Sequence, residues 1–254
     1  MGNTANTETY DGTTWSEVNN LNTSRDKAGS AGTQAAAVIY GGFISPPAGS
    51  TNATEEYDAT SWATVPGVLS QDMDQMAAFG TQTAAVSAGG YNYSASPPKS
   101  RAVTEEYNGS TWTANPSPSG DLGAANYACS GVGTQTAGLS IGGNPGAKTI
   151  TEEYNGTTWS AGGTLIAGKA RASAAGTQTD AIIAGGPTGT VVYGYDGSAW
   201  STRPSMAVSR DETGGTTPAP ASSTIVIGGS PTLSSTEVFT GAVETATASF
   251  VTSS

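Results

Sequence analysis

The chain has 254 residues, of which only 11% are charged, and its formal net charge is -11. An acidic chain poor in Lys and Arg repels phosphate backbones, which argues against a nucleic-acid partner. Histidine is absent, removing the commonest general base and metal ligand, and a lone cysteine, Cys129, cannot form an internal disulfide.

From the N-terminus, residues Met1 to Asn6 show neither the basic nor the apolar segment of a secretory signal, so none is expected. No apolar run approaches the ~18 residues of a membrane helix, so no membrane insertion is expected. A first strand is predicted over Thr13 to Val18, around Trp15. From Arg25 onward the chain repeats itself, and a repeat decides architecture before any other feature does. The tryptophans are Trp15, Trp62, Trp112, Trp159 and Trp200, and each has a tyrosine five residues before it: Tyr10, Tyr57, Tyr107, Tyr154 and Tyr195. Glycine pairs stand at Gly41-Gly42, Gly89-Gly90, Gly142-Gly143, Gly185-Gly186 and Gly228-Gly229. Gly-Thr-Gln begins at Gly32, Gly80, Gly133 and Gly176, nine positions before the first glycine of the pair each time. That constant spacing predicts a rigid hairpin, while the variable spacing elsewhere predicts tolerant loops.

Each unit reads as four short strands. The first is small and apolar, as in Arg171 to Ala175, and Gly-Thr-Gln turns the chain. The second is a continuous apolar run such as Ala181 to Ala184, which implies burial on both faces. The glycine pair ends it where backbones come close. Thr-Glu-Glu-Tyr is the third strand, an Asn-Gly or Asp-Gly turn follows, and the Trp strand is the fourth. No segment sustains a 3.6-residue period, so almost no helix is expected. Four strands in about 40–50 residues make a propeller blade, which buries both faces only by packing between neighbours.

The glycine pair after an apolar strand, then Glu-x-Tyr-Asp and Trp, resembles the kelch motif, most clearly from Arg25 through Gly41-Gly42 and Glu56-Tyr57-Asp58 to Trp62. The Gly-Thr-Gln variant with Thr-Glu-Glu-Tyr-Asn-Gly-Thr-Thr-Trp also resembles kelch-like repeat proteins of marine bacteriophages. The expected fold is one all-β domain, a five-bladed kelch-like propeller. Its blades run over about 25–66, 72–116, 123–163, 169–203 and 209–240, and the strand at 12–18 completes the last. The fifth repeat has Ala219-Pro220-Ala221 in place of Gly-Thr-Gln and no Trp after Phe239. Closure by the N-terminal strand would remove an exposed edge. The tail 241–254 contains an alternating stretch, Val243 to Val251, that reads as a further edge strand, and terminal strands offer a route to an oligomer.

Most chemistry-bearing residues look architectural. Adjacent glutamates on a strand point to opposite faces, so Glu55-Glu56, Glu105-Glu106 and Glu152-Glu153 cannot act on one substrate together. Asp72 and Asp74 with Gln75 lack calcium-loop spacing. Arg25, Arg101, Arg171, Arg203 and Arg210 mostly occupy the repeated position before the first strand, which reads as structural. The kelch resemblance brings in copper enzymes like galactose oxidase, whose metal needs histidine, so that activity is excluded. No catalytic residue, metal or cofactor is expected. The long segments 43–53 and 91–103 carry Phe43, Ile44, Tyr91, Tyr93 and Arg101 on one face of adjacent blades, beside Pro46-Pro47 and Pro97-Pro98. Exposed aromatics stiffened by proline suit contact with a partner or a sugar. The functional expectation is a non-enzymatic structural or adhesion protein of a virus particle, binding other virion proteins or a surface glycan. The alternatives are a cytoplasmic kelch-type protein-binding module and a carbohydrate-active propeller enzyme.

Overall fold

The computed structural model describes residues 4–97, 99–116, 118–215, 220–230, 234–240 and 249–253. The chain begins with a two-stranded ribbon, β1 (Thr7–Tyr10) and β2 (Trp15–Val18). Five four-stranded antiparallel sheets follow in chain order. The first holds β3 (Gly29–Thr33), β4 (Ala36–Tyr40), β7 (Thr54–Tyr57) and β8 (Trp62–Val65), with the short pair β5 (Phe43–Ile44) and β6 (Gly49–Ser50) in its loop. The second is β9 (Ala77–Thr81), β10 (Ala84–Ala88), β11 (Thr104–Tyr107) and β12 (Trp112–Ala114). The third is β13 (Ser130–Thr134), β14 (Ala137–Ile141), β15 (Thr151–Tyr154) and β16 (Trp159–Ala161). The fourth is β17 (Ser173–Thr177), β18 (Asp180–Ala184), β19 (Val192–Tyr195) and β20 (Trp200–Arg203). The fifth is β21 (Gly214–Gly215), β22 (Ser223–Ile227), β23 (Thr236–Thr240) and β24 (Ser249–Ser253). The first strands of successive sheets lie against one another, β3 on β9, β9 on β13, β13 on β17 and β17 on β21. This is an all-β propeller; the helix among the described residues is one 3-10 turn, Gly186–Thr188.

Local chemistry explains the repeated strands. Gly32 has φ 112°, and a Cβ there would stand 2.2 Å from the Ala36 carbonyl oxygen, so the tight turn between β3 and β4 requires glycine. The turn after Tyr57 is held by Asp58 Oδ1, which accepts from the amides of Thr60 (2.9 Å) and Ser61 (2.8 Å). The second strands of the second, third and fourth sheets are buried on both faces, as Ala181 to Ala184 show.

Three side-chain links join neighbouring sheets. Each Trp indole donates to the Thr that opens the third strand of the preceding unit: Trp112 to Thr54 (3.0 Å), Trp159 to Thr104 (2.9 Å) and Trp200 to Thr151 (2.9 Å). Tyr107, Tyr154 and Tyr195 donate to Glu56, Glu106 and Glu153 of the preceding sheet at 2.8, 2.6 and 2.6 Å. The Gln of Gly-Thr-Gln donates to two carbonyls of the preceding sheet, as Gln82 does to Ala37 (3.1 Å) and Tyr57 (2.7 Å). The other glutamate of each pair points the opposite way. Glu55 accepts from the amides of Asn22 (2.7 Å) and Thr23 (3.2 Å), and Glu105 from the amide and hydroxyl of Ser70 (2.9 and 3.0 Å).

The structure corrects the expected closure. The fourth strand of the fifth sheet is β24, paired with β23 from Thr236↔Ser253 to Thr240↔Ser249. The Trp15 strand does not complete that sheet; it pairs with β1 alone. Its Trp15 indole reaches Thr236 at 3.3 Å, and Trp62 of the first sheet reaches Thr7 at 3.0 Å. The ribbon therefore sits between the fifth and first sheets as a unit of its own. Of the expected tail strand Val243 to Val251, the described part lies in β24 (Ser249–Ser253); residues 241–248 lie outside the described set, as do Pro98 and Ala219. Cys129 is buried, with its thiol pushed up to about 11 by desolvation.

Candidate functional site

Five chain segments, one from each four-stranded sheet, meet where the first strands begin. They line a cavity of about 520 Å³ through Asp26-Lys27-Ala28, Gln75-Met76, Ala128-Cys129, Arg171-Ala172 and Glu212-Thr213-Gly214, with Thr4 at its rim. Lys27, Gln75, Ala128, Arg171 and Glu212 occupy equivalent positions and all have positive φ, between 52° and 57°. Successive residues of this set are joined by backbone bonds: the amides of Gln75, Ala128, Arg171 and Glu212 donate to the carbonyls of Lys27, Gln75, Ala128 and Arg171. The left-handed turn aims these carbonyls at the neighbouring sheet and places the side chains around the mouth.

The two long loops stand beside this mouth, bonded to the segments that line it. Phe43 exchanges backbone bonds with Asp26 (2.7 and 3.0 Å), and Tyr91 does the same with Asp74 (2.7 and 2.9 Å). Segments 43–53 and 91–103 meet directly: Phe43 packs edge-on against Tyr93, with centroids 5.2 Å apart, and Tyr91 lies 5.0 Å from Tyr127 of the third sheet. Lys99 sits 4.8 Å from the Tyr93 ring and donates to the Tyr93 carbonyl at 2.8 Å, while Lys27 lies 5.8 Å from the Phe43 ring. Tyr93 is 46% exposed, leaving a large apolar ring open to solvent beside the mouth. Ser50 knits the loops together, donating to Asp74 Oδ2 (2.5 Å) and accepting from the Tyr93 amide (2.8 Å). Desolvation raises the Asp74 carboxyl, and its bonds from Ser50 and Gln75 oppose that rise. Arg171 pairs with Asp211 of the next sheet at 2.7 Å, partly exposed.

Of the residues singled out in the sequence, Phe43, Tyr91 and Tyr93 are brought together. Ile44 stands half-buried in β5, and Arg101 turns aside to Gln71 at 3.1 Å. The remaining arginines do not share one position. Arg25 and Arg210 are buried and pair with Glu55 (2.6 Å) and Glu237 (2.8 Å). Lys169 takes the equivalent place in the fourth sheet, where Tyr193 replaces the glutamate. Its ammonium donates to the carbonyls of Gly185 and Val191, both at 2.6 Å, and faces the Tyr193 ring at 5.2 Å. Desolvation without a carboxylate partner lowers the Lys169 pKa to about 8. The mouth residues were missed in the sequence, although a signal was present: Lys27, Gln75, Ala128 and Arg171 each stand five positions before a Gly-Thr-Gln glycine.

Among the described residues no group of three or more His, Cys, Asp or Glu side chains could hold a metal ion. The arrangement offers aromatic faces, two lysines and hydrogen-bonding carboxylate and amide groups around one depression, a chemistry of binding.

No protein-family model matches the chain, and no curated protein does. Among solved structures the chain is similar to one titled "Structure of YjhT", with a TM-score of 0.75 at 13% identity, covering 100% of this chain and 98% of that one. At that identity the likeness shows the fold, an antiparallel propeller.

Proposed function

We propose that this propeller is a non-enzymatic adhesion protein of a virus particle that binds a surface glycan at the mouth of its central cavity. The observation that carries the reading is the convergence of segments 43–53 and 91–103 into one wall of Phe43, Tyr93, Tyr91 and Tyr127, with Lys27 and Lys99 against the rings. Flat aromatic faces beside carboxylate, amide and ammonium groups suit a sugar, which presents apolar C–H faces and a rim of hydroxyls. The non-enzymatic part is supported by the absence of histidine and by the engagement of the third-strand glutamates in links between and within sheets. The setting in a virus particle is supported by the likeness of the repeat to kelch-like proteins of marine bacteriophages, carried by Gly-Thr-Gln and Thr-Glu-Glu-Tyr-Asn-Gly-Thr-Thr-Trp.

A glycan array probed with wild type and a Tyr91→Ala/Tyr93→Ala variant tests the binding site. Loss of the stacking rings lowers affinity for the bound glycan about ten-fold or more, in line with removal of an aromatic anchor. Equal binding by a variant with unchanged circular dichroism overturns the assignment. Detection of the protein in purified particles by mass spectrometry tests the setting separately.

A further inference from the structure

Three ladders of hydrogen bonds run from sheet to sheet, and each is interrupted between the fifth and first sheets; the glutamine ladder also lacks a donor in the fifth repeat, where Ala219-Pro220-Ala221 replaces Gly-Thr-Gln. The backbone chain through Lys27, Gln75, Ala128, Arg171 and Glu212 has no link from Glu212 back to Lys27 among the described residues. Gln135 donates to Ala85 and Tyr107, and Gln178 to Gly138 and Tyr154, a second-strand and a third-strand carbonyl each time. Gln34 donates to the Tyr10 carbonyl alone, at 3.2 Å, because β1 has no second strand beside it. The second glycine of the first four pairs donates to the next unit, Gly42 to Met73 (2.8 Å), Gly90 to Asn126 (2.7 Å), Gly143 to Lys169 (2.7 Å) and Gly186 to Arg210 (3.1 Å); among the described residues no such donor meets the carbonyl of Arg25.

Exposure changes at the same seam. Ala37 and Ile39 of β4 face the ribbon and are only half-buried, whereas their counterparts Ala85 and Ser87, or Ala181 and Ile183, are buried. Tyr10 is half-buried, whereas Tyr57, Tyr107, Tyr154 and Tyr195 are buried. The Trp-to-Thr links of the ribbon are nevertheless made on both sides, through Trp15 to Thr236 and Trp62 to Thr7. The ribbon thus has the Trp-to-Thr contacts of the outer half of a sixth unit, with the inner edge of β1 unpaired among the described residues.

We propose that this edge binds a β-hairpin supplied by a different protein, completing a sixth four-stranded unit. The five existing hairpins specify its chemistry: a first strand of small side chains, a tight glycine turn, and a continuous apolar second strand ended by paired glycines. The second strand pairs with β1 and gives Gln34 its second carbonyl. The glycine amide meets the Arg25 carbonyl. The turn before the first strand bridges Lys27 and Glu212. Strand addition of this kind draws affinity from main-chain bonds and specificity from alternate side chains, here packed on Ala37 and Ile39. The chain's own link between β23 and β24 is too short to serve, since those strands pair with each other across eight residues and a hairpin such as Ser173 to Ala184 takes twelve.

The test adds a synthetic peptide of residues 172–186, which carries this pattern, to the full chain. Fluorescence anisotropy is expected to show saturable binding, and hydrogen exchange across residues 7–10 to slow about ten-fold as β1 gains a partner strand. A peptide with Ile183→Pro is expected not to bind, since proline removes a ladder donor and breaks the strand. Gln34→Ala, at an exposed position, is expected to weaken binding about five-fold, the worth of one neutral hydrogen bond. Absence of binding overturns the proposal. So does equal binding of the proline peptide, or an undiminished affinity of the Gln34→Ala protein. Self-association that protects residues 7–10 without peptide also overturns it, by showing that a second copy is the occupant.

Discussion

Replacing Arg25 by Met isolates the buried charge of the first sheet. The Arg25 and Glu55 side chains are fully buried and meet at 2.6 Å, and Arg25 also donates to the carbonyls of Gly41 (2.8 Å) and Ala53 (3.0 Å). The second sheet already carries Met73 in the equivalent place, and there burial raises the Glu105 carboxyl above its usual range. Arg25→Met puts Glu55 in the same situation while it still accepts from the amides of Asn22 and Thr23. Removing one partner of a buried pair costs about 3–5 kcal/mol, because the remaining charge is desolvated without compensation. The sign with pH follows from the raised carboxyl. A carboxyl whose folded pKa lies above its unfolded value of 4.5 loses its contribution as pH rises through the folded pKa. By analogy with Glu105, the defect is expected to be full at pH 7 and smaller in acid. Guanidinium denaturation followed by tryptophan fluorescence reads both values, and Arg25→Met/Glu55→Gln recovers part of the loss at pH 7. A single variant within about 1 kcal/mol of wild type at pH 7, or a double variant no better than the single, refutes the reasoning.

Gly138→Ala places a Cβ 2.2 Å from the Phe79 ring of the preceding sheet, so it is expected to destabilise by about 2 kcal/mol in wild type and by less when added to Phe79→Ala; denaturant melts of the single and double variants decide. Trp200→Phe removes an indole donor that serves buried Thr151 (2.9 Å) and the Gly163 carbonyl (3.1 Å), and a loss of about 1–3 kcal/mol is expected by the same assay. Lys169 has its folded pKa lowered to about 8 from 10.5, so the unfolded chain binds more protons above pH 8. Stability is therefore expected to rise between pH 8 and 10 in wild type, and thermal melts of Lys169→Met are expected to lose that rise.

The repeat unit was legible from residue types alone. Tyr57 with Trp62, the glycine pairs and Gly-Thr-Gln each answer a local demand: a turn, a close backbone approach, a buried strand. The partner of each glutamate was not legible. Glu55 and Glu56 are neighbours in sequence, yet one holds a loop of its own sheet and the other a tyrosine of the next. Only the packing of sheets decides which. The mouth was half legible. Phe43 and Tyr93 drew attention as loop aromatics, whereas Lys27, Gln75 and Glu212 share no residue type, only a backbone conformation and a place near the axis.

The same division separates the closure from the blades. Strand count, strand order and the nine-residue spacing follow from sequence, because hairpins are local. The choice between the Trp15 strand and the tail strand for the edge of β23 does not, because both offer an alternating segment and backbone donors are identical from strand to strand. Tertiary structure decided it: the Trp15 indole needs Thr236 across a gap between units, while β24 supplies the ladder itself. A sequence repeat thus determined what each sheet is made of, and side-chain links between sheets determined where the first residues of the chain belong.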